Sequence, residues 1–213
     1  MPQLIQHIPI ERDGVSTPQT LAPILDAAKP GTVTLVAANA RDDSHLAQTL
    51  LTLSIELAKT RKTVFASTTY QRKSLQRRLA AAALGVSPYD VHSFANENPQ
   101  RIAEVLDAVS KTSLSIATPF FPEDYNAVIP PSGGACVFGA AQSIVPDFAA
   151  LDTDPAEWMS ENATAHNVAV IAGIYLSANP DAPNAPLPGL LSFDRPFFEN
   201  ADAVFALHDE RRR

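Results

Sequence analysis

An α/β fold with a mostly parallel, doubly wound sheet is what this sequence predicts. Three observations carry it. Short apolar, β-branched runs alternate with segments of helical periodicity along most of the chain. The run Ala135-Cys136-Val137-Phe138 is apolar on both faces, as a central parallel strand is. A length of 213 residues, 46% of them hydrophobic, suits one sizeable domain and is short for two.

The elements follow in order. Residues 1–30 read as a lead-in with one short helix over 19–28, opened by Thr17-Pro18 because proline suits a first helical turn. Lys29-Pro30-Gly31 is a turn into a first strand, Thr32 to Ala37. From Ser44 the apolar positions Leu46, Ala47, Leu50, Leu51, Leu53, Leu57 and Ala58 keep helical spacing. Thr63 to Ser67 is β-branched and aromatic, a second strand. Ser74 to Leu84 is a helix with Leu75, Leu79, Ala82 and Ala83 on one face, and Gly85 ends it. A further helix opens near Pro99, with Ile102, Val105, Leu106 and Val109 expected inward. Leu114 to Ala117 is a third strand, followed by a proline-rich loop from Pro119 to Gly134. Ala135 to Phe138 is the fourth strand, Pro155 to His166 a helix, and Val168 to Ala172 the fifth strand. The four prolines between Asn179 and Pro188 mark a surface loop, and Ala203 to Leu207 is a sixth strand. We expect one domain over 1–213, with no internal repeat.

Composition excludes several classes. A net charge of −7 disfavours nucleic-acid binding by overall charge, since neutralising phosphates supplies most non-specific affinity. The single cysteine, Cys136, permits no disulfide within the chain, which fits a reduced, cytoplasmic setting. Residues 1–7 lack the pattern of a signal peptide, and no apolar run reaches membrane-spanning length.

The segment after the first strand carries the functional argument. Residues 38–45 stand between strand and helix, where a P-loop stands in nucleotide-binding α/β domains. A P-loop needs glycines, so that backbone N–H groups wrap the phosphates, and a lysine for the outer ones. This loop has neither, and Asp42 and Asp43 would repel a triphosphate.

Four stretches together resemble the RecA-like ATPase domain of DnaB-type replicative helicases. Pro30 to Ala38 is similar to that family's "PGDLIVVAA" entry into the P-loop. Val64 to Tyr70 with Ser74 to Leu79 is similar to its "VLIFSLEM…QLxxRL" stretch. Val137 to Gln142 resembles the "VIDYLQ" of its Walker B strand. Glu199 to Glu210 resembles "EQDADLIMFIYRDE", the most specific match, and follows Asn167 to Leu176, which is similar to "NVPVIALSQL". The resemblance spans nearly the whole chain and implies a three-layer, RecA-like (P-loop NTPase type) fold.

The departures imply a pseudo-ATPase. Arg41, Asp42, Asp43, Ser44 and His45 occupy the degenerate P-loop; Ser44 falls at the Mg²⁺-binding hydroxyl with no lysine beside it. The water-polarising glutamate falls on Thr69, the Walker B aspartate on Gly139 and the nucleotide-sensing glutamine on Tyr175. The arginine-finger strands would lie past Arg213. Phosphoryl transfer depends on positioning and on charge neutralisation around the phosphates. Losing lysine, metal carboxylate and water-positioning carboxylate together removes the means of both. No cofactor and no bound metal are expected.

Other candidates have plainer readings. Arg72, Lys73, Arg77 and Arg78, with Lys59, Arg61 and Lys62 upstream, form a candidate surface for nucleic acid or an acidic partner; the acidic total favours a solvated helix face. Asp42, Asp43 and His45 offer metal-type ligands without a second cluster, and Asp43-Ser44 reads better as a helix N-cap. No G-x-S-x-G elbow accompanies the serines and histidines. Cys136 in a central strand is a small buried hydrophobe, and Trp158 with Met159 reads as core or interface. The expected function is therefore a non-catalytic interaction, regulatory or scaffold module. By resemblance it is linked to DNA replication, repair or chromosome processes and works through a protein partner or self-association. A DNA-binding accessory using the basic helix, and a nucleotide binder or ATPase with an atypical P-loop, are the alternatives.

Overall fold

The computed structural model describes residues 5–10, 17–39, 43–67, 72–118, 124–141, 154–176 and 195–209. The strands are β1 (Ile5–Ile10), β2 (Val33–Asn39), β3 (Thr63–Ala66), β4 (Leu114–Ala117), β5 (Ala135–Phe138), β6 (Ala169–Leu176) and β7 (Ala203–Asp209). The helices are α1 (Pro18–Ala27), α2 (Asp43–Ala58), α3 (Arg72–Leu84), α4 (Val91–Glu97), α5 (Pro99–Ser110), α6 (Asp124–Ala127), α7 (Pro155–His166) and α8 (Arg195–Glu199). The seven strands form one sheet in the order β1-β7-β2-β6-β5-β3-β4, and every described pairing is parallel.

That order sorts the helices. Crossovers between parallel strands are right-handed, so the direction of each step along the sheet fixes the face its helix covers. The steps β1 to β2, β2 to β3 and β3 to β4 run one way, and α1, α2, α3 and α5 pack on one face through Leu21, Ile24, Leu50, Leu75 and Val109. The steps β4 to β5, β5 to β6 and β6 to β7 run back, and Tyr125, Met159, Ala163 and Phe197 bring α6, α7 and α8 to the other face. Residues alternate between the two cores along each strand: Ala135 and Val137 face the α2 side, Cys136 and Phe138 the α7 side. The result is the expected three-layer α/β fold.

Helix α2 is enclosed on all sides, with every residue from Leu46 to Ile55 buried. Its buried polar side chains bond mostly within the helix: Thr52 Oγ1 donates to the Gln48 carbonyl at 3.0 Å and Ser54 Oγ to that of Leu50 at 2.7 Å. Gln48 Nε2 reaches outward to the Val86 carbonyl at 3.4 Å.

The expected turns hold. Thr17 caps α1 in a capping box with Thr20, with Pro18 at its start. Gly85, just past α3, has φ +68°, the left-handed conformation of a C′ glycine.

Four readings need correction. The lead-in contains β1, an edge strand obscured by Pro9, which is tolerated there because an edge residue need not donate on its outer side. Helix α4 was not foreseen; it is short, and only Val91 is buried. Leu106 is 42% exposed instead of inward, because α5 lies at the rim of the helical layer and buries no residue fully. The proline-rich loop includes the helical turn α6, held by Tyr125 beneath the α7 side of the sheet.

Candidate functional site at the carboxyl edge of the sheet

In open α/β sheets, ligands bind beyond the carboxyl ends of the strands, where neighbouring strands send their helices to opposite faces. Here β2 and β6 do so, and so do β3 and β5. Among the described residues, Asp43, Ser44, His45 and Tyr175 lie by the first of these places and Gly139 by the second.

At the first, β2 ends at Asn39 and α2 begins at Asp43. Arg41 and Asp42 lie outside the described residues, as does Thr69. Asp43 and Ser44 fall inside the first turn of α2, so neither stands before the helix as the expected N-cap pair. An acidic residue in a first turn still complements the helix dipole. His45 is half-buried, and its Nδ1 is buried without a hydrogen-bond partner among the described residues. Tyr175 stands opposite Ala38 in the β2–β6 register and packs against the apolar core on the α2 side.

At the second place, Ser67 follows β3 and Gly139 follows β5. The strands are tied there by Gly139 N–H to the Ala66 carbonyl at 2.8 Å and Ser67 N–H to that of Ala117 at 3.1 Å. A side chain at Gly139 would start 3.1 Å from both Cβ and Oγ of Ser67 and 3.3 Å from the Phe65 ring. Ser67 is 3% exposed, and its hydroxyl has no partner among the described residues.

Gly173 links the two places. A Cβ there would lie 2.8 Å from the Gly139 carbonyl oxygen, 2.5 Å from Leu50 Cδ1 and 3.3 Å from Leu46 Cδ2. The missing side chain lets the first turns of α2 press onto β6, and leucine methyls fill the space. Sequence reasoning passed over Gly173, although a glycine inside an apolar strand signals a close approach.

Among the described residues this arrangement provides shape and packing, and few charges. No carboxylate stands at Gly139, and no group of three or more potential metal-binding side chains occurs among the described residues. Cys136 is fully buried, and burial pushes its thiol far above the usual range, so it is no nucleophile. Met159 is core, and Trp158 packs edge-on against Tyr125 and Phe138 with ring centroids 6.2 and 6.0 Å away.

The basic residues grouped in the sequence divide between the two ends of β3. Lys59, Arg61 and Lys62 precede the strand; Lys59 pairs with Glu56 at 2.6 Å, and Arg61 Nη1 donates to the Ala28 carbonyl behind α1 at 3.0 Å. Arg72, Lys73, Arg77 and Arg78 follow the strand on α3. Arg77 is exposed and Arg78 half-buried; the side chains of Arg72 and Lys73 lie outside the description.

No protein-family model and no curated protein sequence matches this chain. Its fold does match a solved structure described as a DnaB-like replicative helicase and its interactions with primase, with a TM-score of 0.65 and 16% identity. The match covers 94% of this chain and 51% of that one, so the chain spans about half the length of the helicase. The class is thereby defined as a DnaB-like, RecA-type α/β fold. Among the described residues, no helix is long and apolar enough to cross a membrane.

Proposed function

We propose that this domain is a non-catalytic relative of DnaB-type helicase domains, working as an interaction, regulatory or scaffold module in DNA replication, repair or chromosome-linked processes. The observation that carries the reading is Gly139. A RecA-like ATPase needs a carboxylate there to hold the metal ion that neutralises the phosphates. Here the position has no side chain, and the space next to it is taken by Ser67 and Phe65. The glycine- and lysine-free segment before α2, with its two aspartates, points the same way. The biological process is carried over from the helicase whose fold this chain shares. Isothermal titration calorimetry with ATP and Mg²⁺ is the test. No binding heat is expected; a stoichiometric isotherm overturns the reading.

A further inference from the structure

Helix α3 carries four bases, Arg72, Lys73, Arg77 and Arg78, and no acid, in a chain whose net charge is −7. Elsewhere exposed bases are neutralised locally, in the pairs Lys59–Glu56, Arg101–Glu104 and Lys111–Asp107. Arg77 is exposed and takes part in no ion pair among the described residues. One turn further along α3, Ala80 and Ala81 pack with Val86 and Val91, and those two valines bracket Tyr89. Tyr89 is 78% exposed, yet the turn that presents it is held in place. Val86 N–H donates to the Ala81 carbonyl at 3.1 Å, and the Val86 carbonyl accepts from Gln48 Nε2 at 3.4 Å. Tyr89 N–H donates to Ser87 Oγ at 3.3 Å, Asp90 N–H donates to the Ser87 carbonyl at 3.0 Å, and Pro88 is buried. A large amphipathic ring kept in water on an ordered turn has already given up its backbone freedom, so little more is lost when a partner covers it. Tyrosine and arginine are both enriched among the residues that carry binding energy in interfaces.

We infer that this surface docks a short acidic peptide of another protein, with its carboxylates against α3 and an apolar residue against Tyr89. The inference rests on the interaction-module reading and gives that module the chemistry of its partner. Size and charge decide the class of partner. Arg72 to Arg78 spans about 9 Å of helix axis. That is room for about two or three phosphates of a nucleic-acid strand, where proteins held by phosphates engage about six to ten. Beyond α3 the exposed charges are mostly acidic: Asp90 and Glu97 at the two ends of α4, and Glu104 and Asp107 beside Arg101 on α5. A long polyanion that continues from α3 onto these helices meets four carboxylates, whereas a short peptide stops before them. Asp90 also sets the direction of docking. Standing next to Tyr89, it repels carboxylates and leaves that end of the surface to an apolar residue.

Fluorescence anisotropy with the whole chain tests this. The probe is a short labelled peptide of aspartates and glutamates with a phenylalanine at one end, made in both orders; its control replaces every acid by the matching amide. At about 0.05 M salt the acidic peptide should bind and the amide control should not, and at about 0.5 M binding should fall by about tenfold or more. Arg77→Glu should weaken binding by about tenfold or more and flatten its dependence on salt. Tyr89→Ala should weaken it by about threefold to tenfold and leave the salt dependence as it was, because an apolar contact is not screened. Both positions are exposed, so both variants should keep the wild-type circular dichroism spectrum and unfolding midpoint. A wild-type chain that ignores the acidic peptide in both orders at low salt overturns the inference, as does binding that either variant leaves unchanged. So does a labelled single-stranded oligonucleotide of equal charge that binds more tightly than the peptide and is released by Arg77→Glu. None of these measurements involves ATP, so a failure here is separable from a failure of the non-catalytic reading.

Discussion

Asp202 and Val33, 169 residues apart, hold each other by two hydrogen bonds: Val33 N–H donates to Asp202 Oδ2 at 2.8 Å, and Asp202 N–H donates to the Val33 carbonyl at 2.8 Å. The aspartate sits just before β7 and clasps the first residue of β2, fixing the register in which Thr34 meets Ala203. Asp202 belongs to the stretch that most resembles the helicase pattern, and its work here is structural. Asp202→Ala should lower unfolding free energy by about 1–2 kcal/mol, because one bond to a charged acceptor is lost and an N–H is left unmatched. Asp202→Asn keeps an acceptor and should lose less. Urea denaturation of the three proteins decides it.

Gly173→Ala should destabilise the domain by about 1–3 kcal/mol, since the added methyl meets backbone as well as flexible leucine ends. The Gly139 carbonyl oxygen, 2.8 Å from that position, has little room to retreat. Thermal unfolding would read the loss. An unchanged midpoint would mean that α2 can lift off β6 without cost.

Ser67→Ala should be neutral or stabilising by up to about 1 kcal/mol, an unusual sign for a buried position. Its hydroxyl is buried with no partner among the described residues, so removing it deletes an unmet polar group and little packing. A clear loss of stability in chemical denaturation would show that the hydroxyl has a partner in solution.

The Cys136 thiol is pushed up by burial, so it stays protonated in the folded chain while the unfolded chain ionises in the ordinary thiol range. Stability from this group is therefore complete at neutral pH and falls as pH rises past that range, with a slope near 1.4 kcal/mol per pH unit. Cys136→Ala should flatten the alkaline limb of the stability curve. In the native protein at neutral pH a thiol reagent should react only as fast as the chain opens.

The sequence by itself determined which segments become strands and helices wherever apolar periodicity was strong. The six strands it proposed are all present, as are α2, α3, α5 and α7, because burial on a defined face leaves a local record in residue spacing. It also determined that residues 38–45 carry neither glycine nor lysine and that position 139 carries no carboxylate, since a missing side chain needs no coordinates to be noticed. Tertiary structure decided the rest. Strand β1 is stabilised by β7, nearly 200 residues away in sequence, and nothing local in Ile5–Ile10 announces that pairing. The separation of Lys59, Arg61 and Lys62 from the α3 bases is set by a strand running between them. The packing of Leu46 and Leu50 over Gly173, beside Gly139, depends on how closely a helix can approach a sheet, and that distance is fixed only when both are in place.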